Sequence, residues 1–323
     1  MNNGLTNNYV ISLLVSGTKL FAGTYGSGVF LSTDNGSTWI AMNNGLTANF
    51  ISSFEVNGTN LFAGTEGGVF LSTDNGSSWT AVNNGLSNTN VMSFAVSGTN
   101  LFAGTSGGVF FSIDNGSSWT SVNNGVTNRN VNSLAVSGTN LFAGTEGGGV
   151  FLSINNGGFW TAVNNGLIAS AVTSLAVSGT NLFAGTEGGG VFLSTNNGGF
   201  WTAVNNGLTN TYINSFAVSG TNLITGTFGG GVFLSSDNGS SWIAVNNGLT
   251  ANTHVLSLAV SGTKLFAGTY ESGVFLSTDN GSTWIAMNNG LTNTNVNSLA
   301  LTGTNLFAGT DGGMFLSTDN GSF

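Results

Sequence analysis

Carboxylates are the largest stock of reactive side chains in this sequence, which has twelve acidic residues, one histidine, three cations and no cysteine. Six acids stand in one recurring phrase, Ser-x-Asp-x-Gly, at Asp34, Asp74, Asp114, Asp237, Asp279 and Asp319, and Asn155 and Asn196 hold the same place in two further copies. A carboxylate can transfer protons, accept turn amides, or join other oxygens around a hard cation. The asparagines decide among these roles. They keep the acceptor oxygen and lose the charge, which a turn tolerates and acid–base chemistry does not. The phrase therefore reads as a turn device, with the Trp that follows it packing between neighbouring sheets. Calcium at these turns is the minor alternative, and Asn-Gly-Ser is a glycosylation sequon by pattern only.

The remaining acids are Glu55, Glu66, Glu146, Glu187, Glu271 and Asp311. A glycoside hydrolase needs two carboxylates flanking the scissile bond, about 5–10 Å apart. Glu55 stands where the other copies have Leu14, Ala95, Ala135, Ala176, Ala217, Ala259 and Ala300. Burial there raises its pKa, as a general acid requires. The favoured reading is still a tolerated substitution facing water. His254 alone makes a serine triad improbable, and zinc lacks ligands, so neither catalysis nor a cofactor or metal is expected.

Net charge is −9, and Lys19, Arg129 and Lys264 are the cationic residues besides His254. Binding to a nucleic-acid backbone or an anionic membrane needs clustered cations, so neither nucleic acid nor membrane insertion is expected. Charged residues are 5% and apolar ones 40%, enough for a large core under a surface of Asn, Ser, Thr and Gly. No apolar run approaches the ~20 residues of a membrane helix. Met1 leads straight into repeat text without a leader pattern, which suggests a removed signal or a piece of something longer.

The recurring Asp or Asn is spaced by 40, 40, 41, 41, 41, 42 and 40 residues. A period of that length implies repeated supersecondary units: 1–41, 42–81, 82–121, 122–162, 163–203, 204–244, 245–286 and 287–323. In the third, β-rich runs cover Val91–Val96, Leu101–Gly104, Val109–Ile113 and Trp119–Val122. Asn-Gly supplies tight turns because both residues tolerate positive φ. Proline is absent, as full strand ladders prefer. Runs such as Val-Phe-Leu are apolar on both faces, so each sheet must be covered on both sides. The predicted fold is all-β: one domain, an eight-bladed β-propeller of four-stranded antiparallel blades. The eighth blade is expected to be incomplete, because Asp319–Phe323 begins the phrase without reaching its Trp. An open blade could also support homo-oligomerisation through its edge.

Ser-x-Asp-x-Gly-x-x-Trp resembles the Asp-box of the BNR repeat, similar to motifs in sialidases, sortilin-type receptors, photosystem II assembly factors and xyloglucan-cleaving hydrolases. The resemblance covers all eight units and implies the fold rather than an activity. Sialidases of that family use three arginines, and this chain has only Arg129.

Units that are nearly identical make their differences informative. Before the inner strand the aligned residues are Tyr9, Phe50, Asn90, Asn130, Ala171, Tyr212, His254 and Asn295. Between the second and third strands they are Tyr25, Glu66, Ser106, Glu146, Glu187, Phe228, Tyr270 and Asp311. A third set, Ile11, Ser52, Met92, Asn132, Thr173, Asn214, Leu256 and Asn297, lies just inside the inner strand. In an up-and-down blade all three emerge at one mouth. Aromatics with carboxylates and amides suit sugar faces and hydroxyls. The expected ligand-binding residues are Tyr9, Tyr25, Phe50, Glu66, Glu146, Glu187, Tyr212, Phe228, His254, Tyr270 and Asp311. The expected function is a non-enzymatic binding or adhesion module of an exported bacterial protein, extracellular or at the cell surface, with a glycan as leading partner. A protein-interaction scaffold binding a surface protein ranks second, and a glycoside hydrolase third.

Overall fold

The structure is a computed structural model that describes residues 2–6, 9–303 and 305–317. The opening of the last Ser-x-Asp phrase, Asp319–Phe323, lies outside the described residues. Eight antiparallel sheets follow one another along the chain, each with its strands in sequence order. Seven have four strands, and the eighth has three, Val296–Thr302, Asn305–Thr310 and Gly313–Ser317. No helix occurs among the described residues. The fold is an eight-bladed β-propeller. It divides into two compact units: Met42–Ala203 carries blades 2–5, and Met1–Ala41 with Val204–Phe323 carries blades 1, 6, 7 and 8.

The third blade shows how the sequence builds each sheet. Its strands are Val91–Ser97, Asn100–Thr105, Gly108–Ser112 and Thr120–Ser121. The second strand is buried from Leu101 onward, as a strand apolar on both faces must be. The fourth is shorter than the sequence implies because Trp119 leaves the ladder. Its backbone N–H goes to Asn84 O at 2.7 Å and its indole N–H to Val82 O at 2.6 Å. The ring then fills a core of Phe62, Val69, Val82, Leu86, Val91, Leu101, Ala103 and Phe110, drawn from two adjacent blades. Burying each large apolar side chain of such a core is worth about 1.5–3 kcal/mol. Close approach is enforced by Gly104, whose added Cβ would lie 2.9 Å from Val131 of the next inner strand.

Asparagine then clips the blades. Asn83 Oδ1 accepts the Val69 N–H at 2.8 Å, and its amide donates to Gly67 O at 3.1 Å. In the eighth blade Asn2 does the same work for Met314 N, at 2.9 Å, and Gly312 O, at 3.4 Å. The amino-terminal Asn-Asn-Gly thus serves the last blade, as its match to Met42-Asn43-Asn44 suggests.

Candidate functional site

The two main variable positions of each blade lie sixteen residues apart throughout, from Tyr9/Tyr25 to Asn295/Asp311. They are neighbours in space. Backbone bonds join Tyr25 N to Tyr9 O at 2.8 Å, Glu146 N to Asn130 O at 3.0 Å, and Phe228 N to Tyr212 O at 3.0 Å. In the seventh blade His254 and Tyr270 are paired across the ladder. The loop before the inner strand and the loop after the second strand therefore present their side chains as a couple. That constant spacing was the signal available in the sequence.

In the unit holding blades 1, 6, 7 and 8 the couples are mostly aromatic, and they meet across blade boundaries. Tyr212 lies 6.5 Å from Phe228, Phe228 lies 3.9 Å from His254, and His254 lies 6.2 Å from Tyr270, ring centroid to ring centroid. Tyr9 and Tyr25 form a second group at 5.4 Å. Tyr212, Phe228 and Tyr270 are 47%, 53% and 45% exposed. Asp311 of the eighth blade is held by two amides, accepting from Asn295 Nδ2 and Asn297 Nδ2, each at 2.8 Å. The Tyr9 phenol is pushed up from its ordinary pKa, first by burial, then by the Asp311 carboxylate, with Tyr25 and Tyr270 adding. Asn295 and Asn297 are the site residues that sequence reasoning left out of its ligand set.

The unit holding blades 2–5 has the same backbone couples and different chemistry. Phe50 donates its backbone N–H to Glu66 Oε1 at 3.3 Å. Ser106 Oγ reaches Asn88 Oδ1 at 3.1 Å, and Glu146 and Glu187 are exposed beside Asn130 and Ala171. Aromatic faces give way here to carboxylates and amides.

The third variable set has a structural role in several blades. Each of these residues sits where the inner-strand register shifts, as between Val131 and Ser133. There Asn132 Nδ2 donates to Val172 O at 3.1 Å, Asn214 Nδ2 to Val255 O at 3.0 Å, and Asn297 Nδ2 to Val10 O at 3.1 Å. These amides satisfy a carbonyl of the following blade that the bulge leaves unpaired.

The Ser-x-Asp turns are closed on themselves. Asp34 Oδ1 accepts from Ser32 Oγ at 2.8 Å and Thr38 N at 2.9 Å, and Oδ2 accepts from Thr38 Oγ1 at 2.6 Å. The Thr38 hydroxyl and amide, followed by Ser32, hold this carboxyl at about 2, and Asp74 is held at about 2 by Ser78 and Ser72 in the same way. In blades 4 and 5 the hydroxyl partner is replaced by Phe159 or Phe200, and there the carboxylate is an asparagine. Asn155 Oδ1 still accepts from Ser153 Oγ at 2.9 Å and Phe159 N at 3.0 Å. In the seven turns among the described residues the acid is present where its second oxygen has a hydroxyl to receive and absent where it does not, whereas Asp319 of the eighth copy is followed by Phe323 and departs from that pairing. That pairing makes the turn structural. No cluster of three or more metal-ligating side chains occurs among the described residues.

Glu55 lies in the strand Ile51–Asn57, and burial raises its pKa, partly offset by the Val56 N–H at 2.9 Å.

A family model for the DUF6242 beta propeller domain matches residues 52–174. No curated protein matches the chain. Among solved structures, the computationally designed Ika8 protein aligns with a TM-score of 0.74 at 12% identity over 96% of each chain. The extracellular domain of the one-component system BT4673 from B. thetaiotaomicron aligns at 0.64 and 19% identity, over 98% of this chain and 39% of that one. YCF48 from Cyanidioschyzon merolae aligns at 0.62 and 15% identity over 84% and 96%, and YCF48 has also been solved bound to D1 peptide. No helix among the described residues is long and apolar enough to cross a membrane. At these identities the likenesses establish the propeller fold.

Proposed function

We propose that residues 1–323 act as one propeller domain whose work is binding, with a carbohydrate as ligand on the aromatic couples of blades 6, 7 and 1. One observation carries the reading: Tyr212, Phe228, His254 and Tyr270 form a continuous run of partly exposed rings, spaced 3.9–6.5 Å apart, across two blades. Sugars present apolar faces that stack on such rings and hydroxyls that pair with amides and carboxylates. Asp311, oriented by the Asn295 and Asn297 amides, supplies the carboxylate. The recurring turns are similar to Asp-boxes, a structural device whose acids are already engaged. Binding rather than catalysis is favoured because Glu55 is a part-buried strand residue whose Oε1 accepts the adjacent Val56 N–H. Extracellular or surface placement accords with the BT4673 likeness.

A second reading is a protein-interaction scaffold. It draws on the peptide complex of YCF48 and on Tyr and Phe as anchors suited to protein partners. A glycan array with labelled protein, run beside the Tyr25→Ala/Tyr270→Ala double variant, separates the two. Selective binding that the variant loses supports the sugar reading. Silence across the array overturns it and leaves the scaffold.

A further inference from the structure

Asn-Gly bonds recur twice in every unit, once inside the Ser-x-Asp turn, as in Asn115-Gly116, and once in the Asn-Asn-Gly turn beside the fourth strand, as in Asn124-Gly125. Asparagine is chemically labile, and most so before glycine, where no Cβ hinders attack by the following backbone nitrogen on the side-chain amide. The two sets share this dipeptide, and their asparagines are exposed in both. What differs is the glycine N–H.

In the Ser-x-Asp turn that N–H is taken. Gly36 N donates to Ser32 Oγ at 2.7 Å, Gly116 N to Ser112 Oγ at 2.7 Å, and Gly157 N to Ser153 Oγ at 2.8 Å. The same bond recurs in the other four such turns among the described residues, and each of these glycines is buried. The serine hydroxyl gives its own hydrogen to the Asp or Asn two residues on, as Ser112 Oγ does to Asp114 Oδ1 at 2.8 Å, so a lone pair is turned to the glycine. In the Asn-Asn-Gly turn the reverse holds. Gly45, Gly85, Gly125, Gly166, Gly207 and Gly248 are exposed, and among the described residues their N–H groups meet no acceptor.

We propose that Asn44, Asn84, Asn124, Asn165, Asn206 and Asn247 are sites of spontaneous covalent modification, and that the Ser-x-Asp turn guards its own asparagine against the same reaction. The glycine nitrogen bonds to the asparagine Cγ and gives up its proton, and the side-chain nitrogen leaves as ammonia. Water then opens the cyclic imide at either carbonyl, giving aspartate or isoaspartate. A nitrogen whose proton is held by a buried hydroxyl must first break that bond, so a guarded asparagine reacts more slowly. The modified turns carry structure: Asn84 O receives the Trp119 N–H at 2.7 Å, so an isoaspartate there, with its longer backbone, shifts an anchor of the inter-blade core.

The test is incubation of the full chain at mildly alkaline pH in heavy-oxygen water, followed by peptic mass mapping at low pH. Asn84 and Asn124 should take up the label at least about tenfold faster than Asn75 and Asn115. In the urea-unfolded chain, where neither glycine is bonded, the two sets should convert at similar rates. Ser112→Ala releases the Gly116 N–H and should raise conversion at Asn115 toward that of Asn124, with Asn75 unchanged as the internal control. If that variant does not melt as a folded protein, the comparison of native with unfolded chain decides alone. No conversion at Asn84 and Asn124, equal rates for the two sets in the native chain, a difference that survives unfolding, or an unchanged Asn115 in a folded Ser112→Ala overturns the proposal.

Discussion

The rims of the two compact units share one backbone plan and differ in what they display. In blades 6, 7 and 1 the coupled loops carry Tyr212/Phe228, His254/Tyr270 and Tyr9/Tyr25. In blades 2–5 the same couples are Phe50/Glu66, Asn90/Ser106, Asn130/Glu146 and Ala171/Glu187. The scaffold fixes that two side chains stand together, and the sequence at those positions decides what they can recognise. Because the couples take no part in the inter-blade core, their chemistry can change without disturbing the fold.

The largest expected contrast is between rim and core rings. Trp242 is 3% exposed and donates its indole N–H to Val204 O, so Trp242→Ala should cost about 3–5 kcal/mol in urea unfolding. Phe228, at 53% exposure, should cost about 1 kcal/mol or less on truncation to Ala. Equal costs would mean that the aromatic rim is an outlying part of the core, and the contrast between the rims would lose its meaning.

Within the acidic unit Glu55 differs in kind from Glu66, Glu146 and Glu187, which are exposed. Burial lifts its folded-state pKa above the unfolded value. The carboxyl is therefore no burden below about pH 4 and becomes one as the pH climbs through the raised value. Glu55→Gln should stabilise the protein at pH 7 by about 1 kcal/mol or less, given partial solvent screening, and change nothing at pH 3. Glu146→Gln, a substitution at an exposed rim position, should change stability at pH 7 by less than about 0.5 kcal/mol. Chemical denaturation at the two pH values measures this.

The turns provide a contrast inside that same unit. Asp74 and Asp114 are depressed by their turn hydrogen bonds, whereas blades 4 and 5 carry Asn155 and Asn196. Depressed carboxyls give their stabilisation above the unfolded pKa of about 4, and it is lost as pH falls through the folded value. For Asp74 that value is about 2. Hydrogen exchange of Ser78 and Ser118 amides should accelerate, relative to Phe159 and Phe200, as the pH falls from 4 toward 2.

The smallest effect concerns Glu271, which adopts φ 64° where blade 1 has Gly26. Glu271→Gly removes left-handed strain but adds unfolded-state entropy, so a net gain of about 0.5 kcal/mol is expected from melting curves.

Much of this was legible before any coordinates. The eight units and their turns followed from the Asp-Asn-Gly period, and Asn35 and Gly36 do take positive φ, at 55° and 79°. The fourth strands were overlong in the sequence reading, because an apolar run such as Trp119–Val122 does not reveal that its Trp spends both N–H groups outside its own sheet. Equally hidden was the role of Asn132, Asn214 and Asn297. Variation there looked like ligand chemistry, yet their amides serve a bulge, a register detail without a residue signature. The rim couples were half visible: their residues were identified, and their pairing lay in an unread sixteen-residue spacing.

The central claim is that the aromatic rim, and not the acidic one, binds ligand. Its most direct test is isothermal titration of a glycan selected on the array against Phe228→Ala/Tyr270→Ala and Glu146→Gln/Glu187→Gln. The account predicts that the first pair loses affinity about tenfold or more while the second retains it. Retention by the first pair with loss by the second would contradict it.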